Sequence, residues 1–157
     1  MNIRLIAIGK TDNKSLQTLI DDYIKRLSFY VKFDLEIIPD IKNVKSLTES
    51  QQKDKEGELI LTKISVTDQL ILLDENGTNF TSVAFSDYLQ KKMNAGIKTL
   101  VFVIGGPYGF SDLIYNKAKG KVSLSEMTFS HQMVRLFVIE QIYRGFTILR
   151  NEPYHHQ

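Results

Sequence analysis

The sequence predicts an α/β fold with a mostly parallel sheet and helices on both faces. Strand-like and helix-like segments alternate along the whole 157-residue chain, which is typical of parallel sheets. Two strand-like segments, residues 69–73 and 99–104, are largely apolar, as strands covered on both faces are. With 43% hydrophobic residues, the chain has enough apolar material for one core, so we expect one domain, residues 1–157.

The first half of the chain predicts two strands, each followed by a helix. Residues 2–8 are apolar and β-branched and stop at a glycine, which indicates a strand. Apolar residues then recur at helical spacing over 16–27. Alternation over 33–37 predicts the second strand. Ser46 and Glu49 have the spacing of a capping box, so we expect a polar helix from there to about residue 64.

The second half continues the alternation and ends in a long helix. Ser130 has a side chain suited to the N-cap of that helix. In chain order the predicted elements are a strand at 69–73, a turn at 75–78, a helix at about 81–94, a strand at 99–104, a short helix at 111–119, a strand at 121–125 and a helix at 131–147.

Composition narrows the classes of function. The chain has no Cys, which excludes disulfides and thiolate metal sites. No segment approaches the roughly 20 apolar residues that cross a bilayer, so we expect a cytoplasmic protein without a membrane partner. The net charge of +2 does not by itself indicate nucleic acid. Residues 113–157, however, hold six Lys and Arg against three Asp and Glu, and such a surplus attracts phosphate.

Two predicted strand ends form a candidate ligand site, because open α/β sheets bind ligands beyond the carboxyl ends of their strands. Leu73 ends one strand, and Gly105 and Gly106 follow the other. Paired glycines let a ligand approach bare backbone, which favours a nucleotide-sized ligand; a tight turn without a ligand is the alternative. The spacing matches neither G-x-G-x-x-G nor a phosphate-binding P-loop, which argues against NAD and ATP.

The segment before the last helix is too polar for a strand core and too apolar for a free loop. Buried loop backbone needs hydrogen-bond partners, which a ligand or the start of the helix could supply. The segment consists of Leu124, Ser125, Glu126, Met127, Thr128 and Phe129. His131 follows it, and its imidazole suits either helix capping or proton transfer near neutral pH.

The carboxyl-terminal tail, residues 151–157, combines Pro, Tyr and two His. An aromatic ring that can stack on a base, beside imidazoles that can hydrogen-bond, suits RNA chemistry. Two adjacent His alone make a weak metal site. Arg135 and Arg144 lie nine residues apart on the predicted last helix, so they face opposite sides and do not grip one phosphate together.

In four of these segments the chain resembles the RlmH family, the ribosomal large-subunit pseudouridine N3-methyltransferases of the SPOUT superfamily. The segments are residues 73–74, residues 104–109, residues 124–135, and residues 140–144 followed by 153–155. The resemblance implies a carboxyl-terminal trefoil knot and a homodimer in which one subunit's tail completes its partner's site. It also implies S-adenosyl-L-methionine as methyl donor, no metal, and helix 69 of 23S rRNA in the assembled ribosome as substrate.

Position by position, the resemblance implies that Leu73, Gly105, Gly106 and residues 124–129 hold the donor. It implies a polar active-site set of His131, Arg144, Tyr154 and His155. Our hypothesis is that His155, or alternatively His131, takes the proton from the acceptor nitrogen. Two rival functions are a SPOUT enzyme acting on tRNA and a non-catalytic, flavodoxin-like nucleotide-binding module. The tail motif at 153–155 favours the ribosomal enzyme over both.

Overall fold

A computed structural model describes residues 1–156 of the chain. The strands are β1 (Asn2–Ile8), β2 (Phe33–Ile38), β3 (Gln69–Asn79), β4 (Thr99–Ile104) and β5 (Gly120–Ser123). They form one sheet in the order β2-β1-β4-β3-β5, and all pairings between them are parallel. The predicted α/β class with a mostly parallel sheet is therefore confirmed.

Helices cover both faces of the sheet, as the sequence predicts. The helices are α1 (Lys14–Leu27), α2 (Glu49–Thr62), α3 (Ser82–Asn94), α4 (Asp112–Lys117) and α5 (His131–Leu149). One apolar cluster joins the sheet to α1, α3 and α5 through Ile20, Leu89 and Ile139. A second cluster joins the opposite face to α2 and α4 through Ile60 and Ile114. The trefoil knot stays a prediction of the resemblance.

Strand β4 lies at the centre of the sheet and is buried on both sides. Leu100 and Phe102 point into the cluster under α1, α3 and α5. Val101 and Val103 point into the cluster under α2 and α4, because successive side chains of a strand face opposite ways. The carboxyl end of β4 is thereby fixed between two packed layers, which positions the glycine loop that follows.

Strand β3 is longer than predicted and contains a bulge. Leu73 and Thr78 both pair with Val122 of β5, so residues 74–77 leave the ladder and the chain then returns to it. The predicted strand end at Asp74 and the separate turn at 75–78 are therefore wrong. A Cβ on Gly77 would lie 2.6 Å from the carbonyl carbon of Val122, so the return needs a residue without a side chain.

Two predicted helix starts have different outcomes. Helix α2 begins with Thr48 as N-cap and a capping box to Gln51, so the predicted pair of Ser46 and Glu49 is wrong. Ser46 instead ends a short 3₁₀ turn. The predicted cap of α5 is confirmed, since the Ser130 side chain accepts a hydrogen bond from the backbone N–H of Met133.

Arg135 fastens α5 to the carboxyl end of β1. Its side chain is 1% exposed and donates to the carbonyl oxygen of Ile8 at 2.8 Å and to Thr11 Oγ1 at 2.9 Å. Burial lowers the pKa of the Arg135 guanidinium, while Asp40 and Asp12 act in the opposite direction. Arg144 contacts a different set of groups, at the other end of α5.

Candidate active site

A cavity of about 470 Å³ lies beyond the carboxyl ends of β3, β4 and β5. Its walls come from residues 73–76, 104–110 and 122–129, together with Tyr115, His131 and Val134. All nine residues predicted to bind a donor therefore lie around one space: Leu73, Gly105, Gly106, Leu124, Ser125, Glu126, Met127, Thr128 and Phe129.

The loop after β4 presents main chain to the cavity. Gly109 donates its backbone N–H to the carbonyl oxygen of Gly106 at 3.1 Å, closing a tight turn. A Cβ on Gly105 would lie 3.1 Å from the Phe110 ring, and a Cβ on Gly106 would lie 2.6 Å from the Glu56 carboxyl carbon. A side chain at Gly106 would clash and one at Gly105 would be crowded; because both residues are glycine, a ligand meets backbone here.

Glu56 supports this loop from behind, and the sequence analysis missed it. The side chain extends from α2, is 3% exposed and accepts a hydrogen bond from Gln52 Nε2 at 2.9 Å. Its other carboxyl oxygen has no hydrogen-bond partner among residues 1–156. Burial raises the pKa of Glu56, and the nearby Asp40 carboxylate adds to the rise. Most of α2 is polar and exposed to solvent, so the sequence pattern does not distinguish the buried Glu56 from its exposed charged neighbours.

The 124–129 segment is held by its own polar groups. Ser123 Oγ donates to the carbonyl oxygen of Ser125 at 3.0 Å, and Ser125 Oγ accepts from the backbone N–H of Met127 at 2.9 Å. Met127 is 75% exposed, and the Phe129 ring packs edge-on against Phe137. The segment thus satisfies part of its backbone internally and leaves apolar side chains at the cavity mouth.

Carboxylates dominate the charge around the cavity. Asp74, Glu75 and Glu126 line it, and no Lys or Arg does so in the part of the chain that the structure describes. Tyr115 donates its hydroxyl to Asp74 Oδ2 at 2.5 Å, and burial together with this bond raises the pKa of Tyr115 to about 12. The negative rim favours a cationic ligand. Sequence reasoning did not find Tyr115, which comes from α4.

The four predicted catalytic residues divide into two places. His131 lines the cavity, whereas Arg144, Tyr154 and His155 gather near the carboxyl end of α5. His131 and Arg144 lie thirteen positions apart on one helix, a distance of roughly 20 Å at about 1.5 Å per residue. Within one chain, therefore, the tail residues do not reach the groups around the cavity.

Glu140 is the centre of the tail cluster, which we define as Tyr23, Glu140, Arg144, Tyr154 and His155. Its Oε1 accepts from Arg144 Nε at 3.0 Å, from Arg144 Nη2 at 2.6 Å and from the Tyr154 hydroxyl at 2.9 Å. Arg144 also stacks over the Tyr154 ring, with Cζ 4.6 Å from the centroid. Hydrogen bonding to Glu140 raises the pKa of Arg144.

The tail is packed against α1 as well as α5. Burial, followed by hydrogen bonding with Tyr23 and Glu140, raises the pKa of Tyr154, so its hydroxyl stays protonated. The Tyr30 hydroxyl donates to the Glu152 carboxylate, and this bond raises the pKa of Tyr30 to about 12. The Glu140 and Tyr23 partners escaped sequence reasoning, because nothing local shows that they meet the tail.

A family model described as "Predicted SPOUT methyltransferase" matches residues 1–155, nearly the whole chain. The chain belongs to the SPOUT methyltransferase family. This match confirms the resemblance found in the four sequence segments. Among residues 1–156 of this SPOUT methyltransferase, no helix has the length and apolar character needed to cross a membrane. Nor do three or more His, Asp or Glu side chains gather there in a way that could hold a metal ion.

Its relatives include proteins named ribosomal RNA large subunit methyltransferase H. The protein of that name from Flavobacterium johnsoniae is 85% identical over 157 residues, which cover all of both chains. The Flavobacterium psychrophilum protein is 83% identical, and the Bacteroides thetaiotaomicron protein 52% identical, over the same full length. The similarity of this SPOUT methyltransferase to them thus includes both the cavity and the tail.

Proposed function

We propose that this SPOUT methyltransferase transfers a methyl group from S-adenosyl-L-methionine to large-subunit ribosomal RNA. The observation that carries the proposal is the full-length identity of 85% to a protein named ribosomal RNA large subunit methyltransferase H. The ligand-sized cavity at the strand ends supports it. We extend it to N3 of a pseudouridine in helix 69 of 23S rRNA, methylated on the assembled ribosome in the cytoplasm. Each chain forms one domain of residues 1–157, and the reaction needs no metal.

The cavity fits the methyl donor in size, surface and charge. Its volume of about 470 Å³ lies within the range of small-molecule pockets. Gly105 and Gly106 present bare backbone in a crowded loop, which suits a nucleoside edge held by main-chain groups. The carboxylates of Asp74 and Glu126 favour a ligand with positive charge. When bound, the donor supplies a sulfonium methyl that needs no further activation, so the protein's task is alignment and deprotonation.

We propose that the enzyme acts as a homodimer, with each tail cluster placed over the partner's cavity. The separation of roughly 20 Å along α5 keeps His131 and Arg144 of one chain from meeting at one reacting atom. A second chain can bring them together. An apolar groove of about 370 Å³ beside the cavity, lined by Phe80, Phe85 and Phe137 among others, offers a surface for such a partner.

In this arrangement the side chains divide the work on the RNA base. Arg144 holds a phosphate or the carbonyl oxygen that gains charge, and Tyr154 packs against the base or orients it. The imide N–H must lose its proton before its lone pair can attack, and His155 and His131 are the two candidate acceptors. The mildly basic carboxyl-terminal third supports a modest attraction for RNA.

Methyl transfer to assembled ribosomes tests the proposed activity. Purified protein with radiolabelled S-adenosyl-L-methionine would be offered ribosomes, naked 23S rRNA and tRNA, all from a strain lacking the gene. We expect label in ribosomes, mapped by mass spectrometry to a pseudouridine of helix 69. Absence of label there, or equal labelling of naked rRNA or tRNA, would contradict the proposed substrate.

Mixed dimers test the shared site. One inactive variant would carry Gly106→Val in the cavity, and the other Arg144→Ala in the tail. Random reassociation of equal amounts leaves one intact shared site in half of the dimers, so about a quarter of wild-type activity returns. If the mixture stays as inactive as its parents, the tails do not complete partner sites.

A further inference from the structure

The hydrogen-bond chemistry of the tail cluster fixes the tautomer of His155. Arg144 Nη1 lies 3.3 Å from His155 Nδ1. A guanidinium has only donors, so Nδ1 must accept. The neutral ring then carries its hydrogen on Nε2.

Glu140 directs the remaining hydrogens of the cluster. An ionised carboxylate only accepts, so both Arg144 and the Tyr154 hydroxyl donate to Oε1. The Tyr154 hydrogen is thereby used, and the Tyr23 hydroxyl, 3.1 Å away, donates to the Tyr154 oxygen. Gln141 Nε2 donates to the second carboxylate oxygen at 2.8 Å. One carboxylate thus sets the orientation of Arg144, and Arg144 sets the tautomer of His155.

We infer that Glu140 is a positioning residue that makes the tail a set of hydrogen-bond donors, in which His155 presents Nε2–H to the RNA base and does not act as its proton acceptor. This inference rests on the proposed function. It assigns the proton of the imide nitrogen to the remaining candidate, His131 at the cavity of the partner chain. The freed lone pair bonds to the methyl carbon while the carbon–sulfur bond breaks and leaves its electron pair on sulfur.

The assignment has an electrostatic rationale. Deprotonation of an imide spreads negative charge onto the carbonyl oxygens that flank the nitrogen. Donors placed at those oxygens stabilise the charge as it develops, which Arg144 and His155 Nε2–H do together. A base at His155 would instead need a free ring nitrogen toward the substrate, and its free nitrogen faces Arg144.

Nitrogen-15 NMR of the full-length protein tests the tautomer without reference to activity. The chain has three His, so the His155 signals can be assigned by their loss in His155→Gln. We expect Nε2 protonated and Nδ1 bare in the wild type, and a mixture of tautomers in Glu140→Gln. Glu152→Gln is the matched control, since that carboxylate accepts from Tyr30 and should leave the tautomer unchanged. Nδ1–H or a doubly protonated ring at neutral pH in the wild type would overturn the inference.

Glutamine substitutions separate donor from base at the two histidines. The glutamine amide nitrogen lies close to the position of Nε2 and donates, but it does not accept a proton. We expect His155→Gln to keep kcat within about tenfold of wild type, and His155→Ala to lose about 100-fold, as loss of one charge-stabilising donor does. His131→Gln should fall as far as His131→Ala, by roughly 100-fold or more.

The opposite pattern, with His155→Gln as inactive as His155→Ala, would identify His155 as the base and overturn the inference. Glu140→Gln should lower kcat about tenfold, the scale of a weakened charged hydrogen bond, with the KM for donor unchanged. A wild-type protein inactive on ribosomes would contradict the proposed function, while the NMR experiment would still decide the tautomer.

Discussion

The cavity and the tail cluster are built by different means. The cavity is defined by shape: two glycines in a crowded loop and a segment whose backbone is held by serine hydroxyls. The tail cluster relies on charge, with two side chains sharing one oxygen of Glu140. A site defined by shape is expected to lose binding when an atom is added to its wall. A site defined by charge is expected to lose activity when one acceptor is removed, although the surrounding fold is retained.

The largest effect is expected from adding one methyl group to the cavity wall. In Gly106→Ala the new Cβ would collide with the buried Glu56 carboxyl, so either the Glu56 side chain or the loop must move. We expect donor affinity to fall at least about 100-fold, or roughly 2.7 kcal/mol, in calorimetric titration. Gly120→Ala is the control, because its Cβ would meet only Ile71 Cδ1 at 3.4 Å. Normal donor binding by Gly106→Ala would show that this wall is adaptable.

Removing one charge from the tail should give a similar loss through a different parameter. Arg144→Ala is expected to lower kcat on ribosomes about 100-fold and to leave the donor Kd unchanged, because Arg144 does not line the cavity of its own chain and its proposed contact in the shared site is with the RNA. Arg144→Lys should not rescue it, since an ammonium lacks the planar fork. A matching loss of donor affinity would break the proposed division between the two regions.

Glu56→Gln tests, through the pH dependence of thermal stability, the role of the buried carboxyl group behind the glycine loop. Burial raises the pKa of Glu56, so the folded state keeps its proton at pH values where the unfolded chain has lost it. Stability is therefore present below the unfolded pKa and falls as pH rises through the folded one. The neutral variant avoids this loss, and we expect its Tm to exceed that of wild type by about 3 °C at pH 8. At pH 4 the two Tm values should agree; equal values at both pH values would refute the account.

The smallest effect is expected at a partly buried ion-pair network outside both regions. Glu36 accepts from Lys63 at 2.9 Å and Arg4 at 2.7 Å, and the hydrogen bond from Lys63 is the main reason that its pKa is lowered. The stabilisation exists above the unfolded pKa and is lost as pH falls through the folded one. Glu36→Gln should cost less than about 1 kcal/mol at pH 7 and nothing at pH 2, in urea titrations, with kinetics unchanged.

Much of the fold can be predicted from local sequence patterns. The prediction is wrong where contacts between residues distant in sequence determine the structure. The apolar runs of β3 and β4 predict their burial. The continuation of β3 to Asn79 depends on pairing of Thr78 with Val122, which no local pattern contains. Helix α2 begins at a capping box of Thr48 and Gln51, two residues beyond the predicted pair of Ser46 and Glu49.

The site was predictable where residues follow strand ends or motifs, and hidden elsewhere. Gly105 and the 124–129 segment are contiguous with strands, so their convergence on one cavity follows from the sheet. Glu56 and Tyr115 reach the cavity region from α2 and α4, and their charged or solvated neighbours conceal them. The separation of His131 from the tail became apparent only from the unbroken length of α5.

Arg135 has a consequence for how the protein can move. Its guanidinium is buried beneath α5 and bonded to the end of β1, and separating the two would leave a desolvated cation without its acceptor. Rotation of α5 relative to the sheet is therefore costly, and we expect the helix to hold the cavity and the tail cluster at a constant separation. We therefore expect larger motions in the 124–129 segment and the tail than in α5. Backbone amides there should exchange with deuterium far faster than those of α5 around residue 139.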